Sequence, residues 1–406
     1  MSSPQPPPSQ ASSHFPLEPI PASVLADKEA RRRDATAILG PCKTGCAAID
    51  QDVLLGGLER ASVVGISAED EELGIKVNQS QGDNEETWLL TCTRQLGLQT
   101  LAHSLCEGTI TDGLVITPKP TSVMLAGLRD AVKAELGQRG DVKDVKIKLR
   151  QCLDKVMLSC VFDLDGLWEV LADLDPSEPA EEGAEKHDMM TAAAAAENAQ
   201  VDEIQDSQDD DDDKAFSPIR QASQPRSEKH PEVIMITHFS SLLTSLFTHR
   251  EKSAARSALQ LLGSHLRDLS RNLASAPLIM LLNSTTWPCS GPAATATSPP
   301  PAKQTPIDPT LRSVFSTATS RRTKPSFGML FAQLLDTHLL CIKIPRTRLD
   351  AGAAVQRREE VGMSWVVEVL LDEMGVWEGR KGARLGREQR WTAVDVERGR
   401  VTRSVF

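Results

Sequence analysis

The sequence predicts an α/β fold with a mainly parallel central sheet flanked by helices, an antiparallel C-terminal edge and long disordered insertions. Three observations predict it. Short apolar runs rich in β-branched residues alternate with helical stretches through most of the chain, as in strands joined by helical crossovers. The closing runs, Leu339–Ile344, Trp365–Leu371 and the tail 391–406, follow one another without helices between them, which calls for antiparallel pairing. Two long stretches are too polar or too proline-rich to bury a core.

In chain order, residues 1–24 are rich in Pro, Ser and Gln and read as disordered, and Glu29–Asp34 reads as a short helix. Ala61–Ile66 is an apolar run expected to be a buried strand. Glu85–Glu107 follows as a helix, with Trp88, Leu89, Cys92, Leu96 and Leu98 among its apolar positions. Asp112–Thr117 is a strand stopped by the turn Pro118–Pro120, Ser122–Leu136 a helix and Val156–Val161 a strand. Asp163 and Asp165 precede the helix that runs to Asp173, where helix capping explains them better than paired catalytic carboxylates. After an acidic stretch come the strand Glu232–Ile236, a long helical segment Ser240–Ala274 broken near Thr248–Ser253, and the strand Pro277–Asn283. The leucine stripe Leu242, Leu243, Leu246, Leu259, Leu261, Leu262 and Leu266 reads as helix-to-sheet packing. The segments expected are 1–35 (N-terminal), 36–175 (first part of the core), 176–230 (acidic insertion), 231–285 (second part of the core), 286–325 (basic Pro/Ser/Thr loop) and 326–406 (C-terminal strands and tail).

Composition narrows the function. Hydrophobic residues make up 40% of the chain, aromatics only 4%, with no tyrosine, so the core rests on aliphatic side chains. No run of about 18 apolar residues occurs, which argues against a spanning helix. The first residues lack the basic and apolar regions of a secretory signal. Cys42 and Cys46 are the closest cysteines, and their C-x-x-x-C spacing matches neither a zinc ribbon nor a redox motif. Reduced thiols and a cytosolic or nuclear setting are expected. Between Asp173 and Asp213 lie sixteen acids and one base, Lys186, a net of −15; against −11 for the whole chain, the remainder carries +4. The run Asp209–Asp213 reads as solvated charge, since it lacks the glycine and spaced ligands of a calcium loop. A mildly basic body permits nucleic-acid contact without demanding it.

A set of short motifs runs in a definite order. Thr44-Gly45 and Ile49-Asp50 are followed by Leu54-Leu55-Gly56-Gly57-Leu58 and then Val63-Val64-Gly65. Val233–Leu242, the long helix after it, Leu278–Thr285 and Pro325–Arg346 continue the series. In this order they resemble the RecA/recombinase superfamily, in particular its divergent eukaryotic, fungal-type recombinase paralogues. The resemblance covers about Lys43 to Leu371 without the acidic insertion, and its specificity lies in the order, since no single motif is strong. It implies a RecA-like P-loop NTPase fold and a role in homologous recombination and DNA repair in the nucleus.

The departures from the family pattern decide what the chain is expected to do. A phosphate-binding loop needs G-x-x-x-x-G-K-[ST], whose glycines let backbone N–H groups close on phosphate. Counted from Gly65, the last three positions are Asp70, Glu71 and Glu72. Each carboxylate at about 4 Å from a phosphate charge costs ~4 kcal/mol at an effective dielectric of about 20. Gly74-Ile75-Lys76 offers a glycine and a lysine, but separated and followed by Val77. At the position of the family's magnesium-site aspartate stands Thr237, followed by His238. Asn283 matches the family's sensor-like Asn, with Ser284 in place of its Gln. The resemblance therefore implies a paralogue with degenerate Walker motifs and no cofactor. It would work by hetero-oligomeric binding to other paralogues or the recombinase. Candidate contacts to single-stranded DNA are Lys303, Arg312, Arg321, Arg322 and Lys324 in the basic loop, where the charges could equally belong to a plain linker. Arg380, Lys381, Arg384, Arg387 and Arg390 are similarly ambiguous. The alternatives are a DNA-dependent ATPase of the same family, with ATP and magnesium, and a scaffold outside repair. No metal site and no membrane contact is expected.

Overall fold

The computed structural model describes residues 20–68, 92–139, 144–174, 230–286, 313–315, 324–356, 362–374, 386–397 and 400–404. The described residues form one compact unit. Its first half holds α1 (Ala22–Leu39), a π-helical turn (Ile49–Val53), β1 (Val63–Ala68), α2 (Cys92–Glu107), β2 (Gly113–Thr117), α3 (Thr121–Gln138), α4 (Val145–Leu153), β3 (Val156–Cys160) and α5 (Leu164–Ala172). The second half holds β4 (Val233–Ile236), α6 (Phe239–His249), α7 (Lys252–Asn272), β5 (Leu278–Thr286), β6 (Lys324–Pro325), α8 (Met329–Ala332), β7 (Thr337–Pro345), α9 (Arg348–Val355), β8 (Met363–Asp372), β9 (Trp391–Glu397) and β10 (Arg400–Arg403).

The strands form one sheet in the order β10-β9-β8-β7-β1-β5-β4-β2-β3, with the short β6 paired to the end of β5. From β3 to β7 every pairing along this path is parallel, and from β7 to β10 every pairing is antiparallel. β1 lies between β5 and β7. The connection from β1 leaves toward β2 while β7 closes on its other side, so the chain changes direction at β1. In open α/β sheets, ligand sites lie at the carboxyl ends of strands beside such a reversal.

Helices cover both faces of the parallel part. One face buries Val64, Ile66, Met235 and Met280 against α2, α3 and α4. The other buries Val63, Ile234, Ile279 and Leu281 against α5, α6, α7 and α8. α7 shows why its sequence folds this way. Ala255, Leu259, Leu262, Leu266 and Leu269 are buried at spacings of three and four, one apolar stripe of an amphipathic helix. No helix among the described residues is long and apolar enough to cross a membrane.

Several boundaries differ from the sequence reading, for local reasons. Residues 22–24, expected to be disordered, form the first turn of α1. β1 runs from Val63 to Ala68 rather than from Ala61, because Ala61 takes a left-handed turn at φ 56° and donates its N–H to Ala276 O. The break expected in the long helix falls at Arg250, whose backbone is extended and whose side chain reaches Asp165 at 2.6 Å. Asp163 caps α5 by accepting from Gly166 N at 2.8 Å, as its position implied. α4 and α9 are not expected from the sequence, and within the 286–325 loop Lys324–Pro325 pairs with β5.

The opening motif is structural. Asp50 Oδ1 accepts the backbone N–H of Thr44 at 2.8 Å and its hydroxyl at 2.9 Å. Gly45 turns between them at φ 77°, where an added Cβ would stand 2.9 Å from His103 Nδ1. The β10 side is held by a buried cluster: Glu135 meets His103 at 3.0 Å and Arg400 at 2.8 Å, and Arg400 also donates to Gly45 O at 2.9 Å.

Candidate functional site

The residues of most interest stand at the carboxyl ends of β1, β4 and β5. Ser67, next to last in β1, is level with Asn283 of β5. Asn283 Nδ2 donates to Ser67 Oγ at 3.2 Å and to Ser326 O at 3.2 Å. Donation to a carbonyl fixes which end of the amide carries nitrogen. Ser67 Oγ in turn lies 2.9 Å from His338 Nε2, a residue of β7 on the other side of β1. Ser284 and Ser326 share a hydroxyl contact at 3.0 Å. Ser67 and His338 are wholly buried and Asn283 is 3% exposed.

Two polar atoms in this chain of contacts have no hydrogen-bonding partner, Asn283 Oδ1 and His338 Nδ1. Leaving such a group unpaired in a protein interior costs roughly 1–3 kcal/mol. Burial pushes the His338 imidazole down to about 3, so it stays neutral at physiological pH. The edge of its ring contacts Phe331 with centroids 5.2 Å apart.

A serine hydroxyl at hydrogen-bonding distance from an imidazole is the start of a nucleophile and base, a pair that reading the sequence did not find. The surroundings withhold the rest. A working base needs a pKa near the operating pH and a third group to orient it. His338 is too weakly basic, its Nδ1 has no carboxylate, and Ser67 Oγ is closed to solvent. Tethering β1, β5 and β7 is what this arrangement accomplishes.

Gly65 occupies mid-strand rather than the last position of β1. It lies under α8: a Cβ there would collide with Leu335 and stand 3.0 Å from Phe331 Cε1. Its glycine identity is explained by this close approach. Asp70, Glu71 and Glu72 lie outside the described residues, in the segment between β1 and α2.

Thr237 directly follows β4 and is 1% exposed. Its N–H donates to Ile116 O at 2.9 Å, its hydroxyl lies 3.4 Å from the same carbonyl, and His238 Nδ1 lies 3.1 Å from that hydroxyl. His238 has a left-handed backbone, φ 52° and ψ 38°, at the start of α6. A hard dication wants carboxylate oxygens. The groups gathered toward this end of the sheet are Thr117 at the end of β2, Thr237 just after β4 and Asn283 within β5, hydroxyls and an amide, so these residues do not fit a resident magnesium ion.

The sheet thus gathers Asn283 and Thr237 at one end, with Gly65 deeper in β1. Lys324 is exposed and pairs through β6 with Thr286 at the same end of β5. Lys303, Arg312, Arg321 and Arg322 lie outside the described residues, as do Arg380, Lys381 and Arg384. Arg390 is removed from the nucleic-acid candidates: it is 3% exposed, donates to Val53 O at 2.8 Å and pairs with Asp372. Phe315, the loop's aromatic, packs edge-on against Trp391 with centroids 4.9 Å apart.

Sequence reasoning missed Ser67, Ser326 and His338. Ser67 and His338 carry a faint signal, a polar residue inside an otherwise apolar run. Neither a protein-family model nor a curated protein matches this chain.

Proposed function

We propose that the chain is a non-catalytic RecA-like recombinase paralogue. It acts in the nucleus, in homologous recombination and DNA repair, by binding partner paralogues or the recombinase in a hetero-oligomer and by contacting single-stranded DNA. The observation that carries this reading is the donor set at the strand ends. Thr237 stands where the resemblance puts a magnesium-site carboxylate, and its hydroxyl is already engaged by Ile116 and His238. The order of elements supports the RecA-like assignment. After the opening Thr44–Leu58 motif, the stretches that carry the resemblance fall on β1, β4, β5 and the segment from β6 to β7, all strands of one sheet. Lys324 at that end is the described member of the basic loop proposed to follow a phosphate backbone.

One observation favours a second reading, an ATP-binding member of the same family. The unpartnered Asn283 Oδ1 is a buried acceptor toward the carboxyl end of β5. A fluorescent ATP analogue with magnesium, competed by ADP, separates the two on the purified full chain. The non-catalytic reading expects no saturable binding up to about 1 mM, roughly 4 kcal/mol of affinity, together with retention of a recombinase or paralogue in pull-down. Competable micromolar binding moves the chain to the ATPase reading. Failure to hold both single-stranded DNA and recombinase partners moves it to a scaffold outside repair.

A further inference from the structure

The last turn of α2 meets α4 through two thiols. Cys106 and Cys152 are 46 positions apart in the chain, and their Sγ atoms stand 4.0 Å apart, both free. Cys152 is the buried residue of α4, and Cys106 is half-buried. Arg139, at the end of α3, donates to Cys106 O at 2.9 Å. The thiol–thiol contact with Cys106 lowers the Cys152 thiol against the opposing effect of burial, and Lys155 and Arg139 add to it. The same contact, with burial, pushes Cys106 up. The thiolate is the reactive form of cysteine, and Lys155 and Arg139 supply a basic setting beside the buried Cys152 and the half-buried Cys106. The other described thiols differ. Burial raises Cys42 and Cys46, Cys341 is enclosed in β7, and the exposed Cys160 faces Lys119 O at 3.6 Å.

We propose that Cys106 and Cys152 form a modification site for hydrogen peroxide, which closes them into a disulfide joining α2 to α4. The Cys152 thiolate attacks one peroxide oxygen, the O–O bond breaks, and the departing hydroxide takes a proton to become water. Cys152 is left as a sulfenic acid. Cys106 sulfur then attacks Cys152 sulfur, the S–O bond breaks, and the Cys106 proton leaves with the hydroxide as a second water. Two thiols are oxidised and one peroxide is reduced. The sulfurs must close by about 2 Å to reach bonding distance. α4 can supply that movement: it has nine residues, and Cys152 is the one buried side chain of the helix. α2 leads directly from the segment that follows β1, so the bond would fasten that helix at its far end.

The test is made on the full chain, reduced and then exposed to micromolar hydrogen peroxide. Remaining thiols are capped with an alkylating reagent and the tryptic peptides weighed. The expected first product is a Cys106–Cys152 linked peptide, lighter by two hydrogen atoms and returned to free thiols by dithiothreitol. Cys106→Ala removes both the contact that favours the Cys152 thiolate and the sulfur that resolves its sulfenic acid, so Cys152 oxidises more slowly and the sulfenic acid formed there persists for dimedone to capture. In Cys152→Ala, oxidation at Cys106 slows by about tenfold or more. A first product at Cys160 overturns the proposal. So does passage of Cys152 to sulfinic acid in the unmutated chain without a linked peptide. Should either alanine variant fail to fold, the peptide map of the unmutated chain decides alone.

Discussion

Leu335 occupies the space that a side chain on Gly65 would need. The two residues join the middle strand of the sheet to the turn after α8, and the fit leaves no slack. Gly65→Ala therefore forces α8 off β1. Overpacking of this kind costs ~1–3 kcal/mol, read as a lower urea midpoint with an unchanged slope. Leu335→Ala in the same chain should recover part of that loss, because it reopens the space. If the two losses simply add, the contact does not explain the glycine.

His338 makes stability depend on acid. Its folded pKa, about 3, lies below the ordinary 6.5. Below 6.5 the unfolded chain takes up a proton that the folded chain refuses, so stability is full above 6.5 and falls as pH drops toward 3. The slope from this one site approaches ~1.4 kcal/mol per pH unit. His338→Gln removes the titrating group and should flatten the stability–pH curve between pH 6 and 4. Parallel curves for the two proteins would show that the acid response comes from elsewhere.

Thr237→Asp restores a carboxylate at the position where the resemblance expects one. At 1% exposure an unpaired carboxylate is costly, and a loss of about 3 kcal/mol is expected. The non-catalytic reading expects millimolar magnesium to return none of it, measured as the melting temperature with and without the ion. Recovery specific to magnesium would mean that the site retains further ligands for a cation.

Lys324→Glu, combined with Arg321→Glu and Arg322→Glu, should weaken binding of a single-stranded oligonucleotide. Each lost phosphate contact lowers the slope of log affinity against log salt by about 0.7, so fluorescence anisotropy at several salt concentrations reads the number of contacts directly. An unchanged slope would make the basic loop a linker.

Asp50→Ala removes both hydrogen bonds to Thr44. The loss leaves the Thr44 N–H unpaired and its hydroxyl with only Cys46 O, at 3.4 Å, to donate to, and is worth about 2 kcal/mol. Chemical denaturation should show that loss. Binding to DNA at saturating protein stability should not change.

These predictions also show what the sequence could reveal. Apolar runs identified β1, β2, β4 and β5 because buried parallel strands are continuous apolar stretches, and the edge strand β3 was found from the same kind of run although none of its residues is fully buried. The helix break at Arg250 was legible in the sequence, whereas α4 was not: Val145, Leu149, Cys152 and Leu153 recur at helical spacing, but the helix has nine residues and only Cys152 is fully buried. The strand read at Ala61–Ile66 stops short of Ser67, which in space is a partner for Asn283 across 216 residues. Pairings of that span leave no local trace. Thr237 and Asn283 were found through order along the chain. His338 was not, because its role comes only from lying beside β1.

β1 borders β5 on one side and β7 on the other, and both are synthesised long after it. Ser67 waits for Asn283, 216 residues downstream. At about 5–20 residues per second, that is roughly 10–40 s in which an apolar strand has left the ribosome with neither neighbour yet made. The nascent chain therefore passes through a prolonged sticky phase, and its yield in cells should depend on holdase chaperones that shield Val63–Ala68 until the second half of the polypeptide arrives.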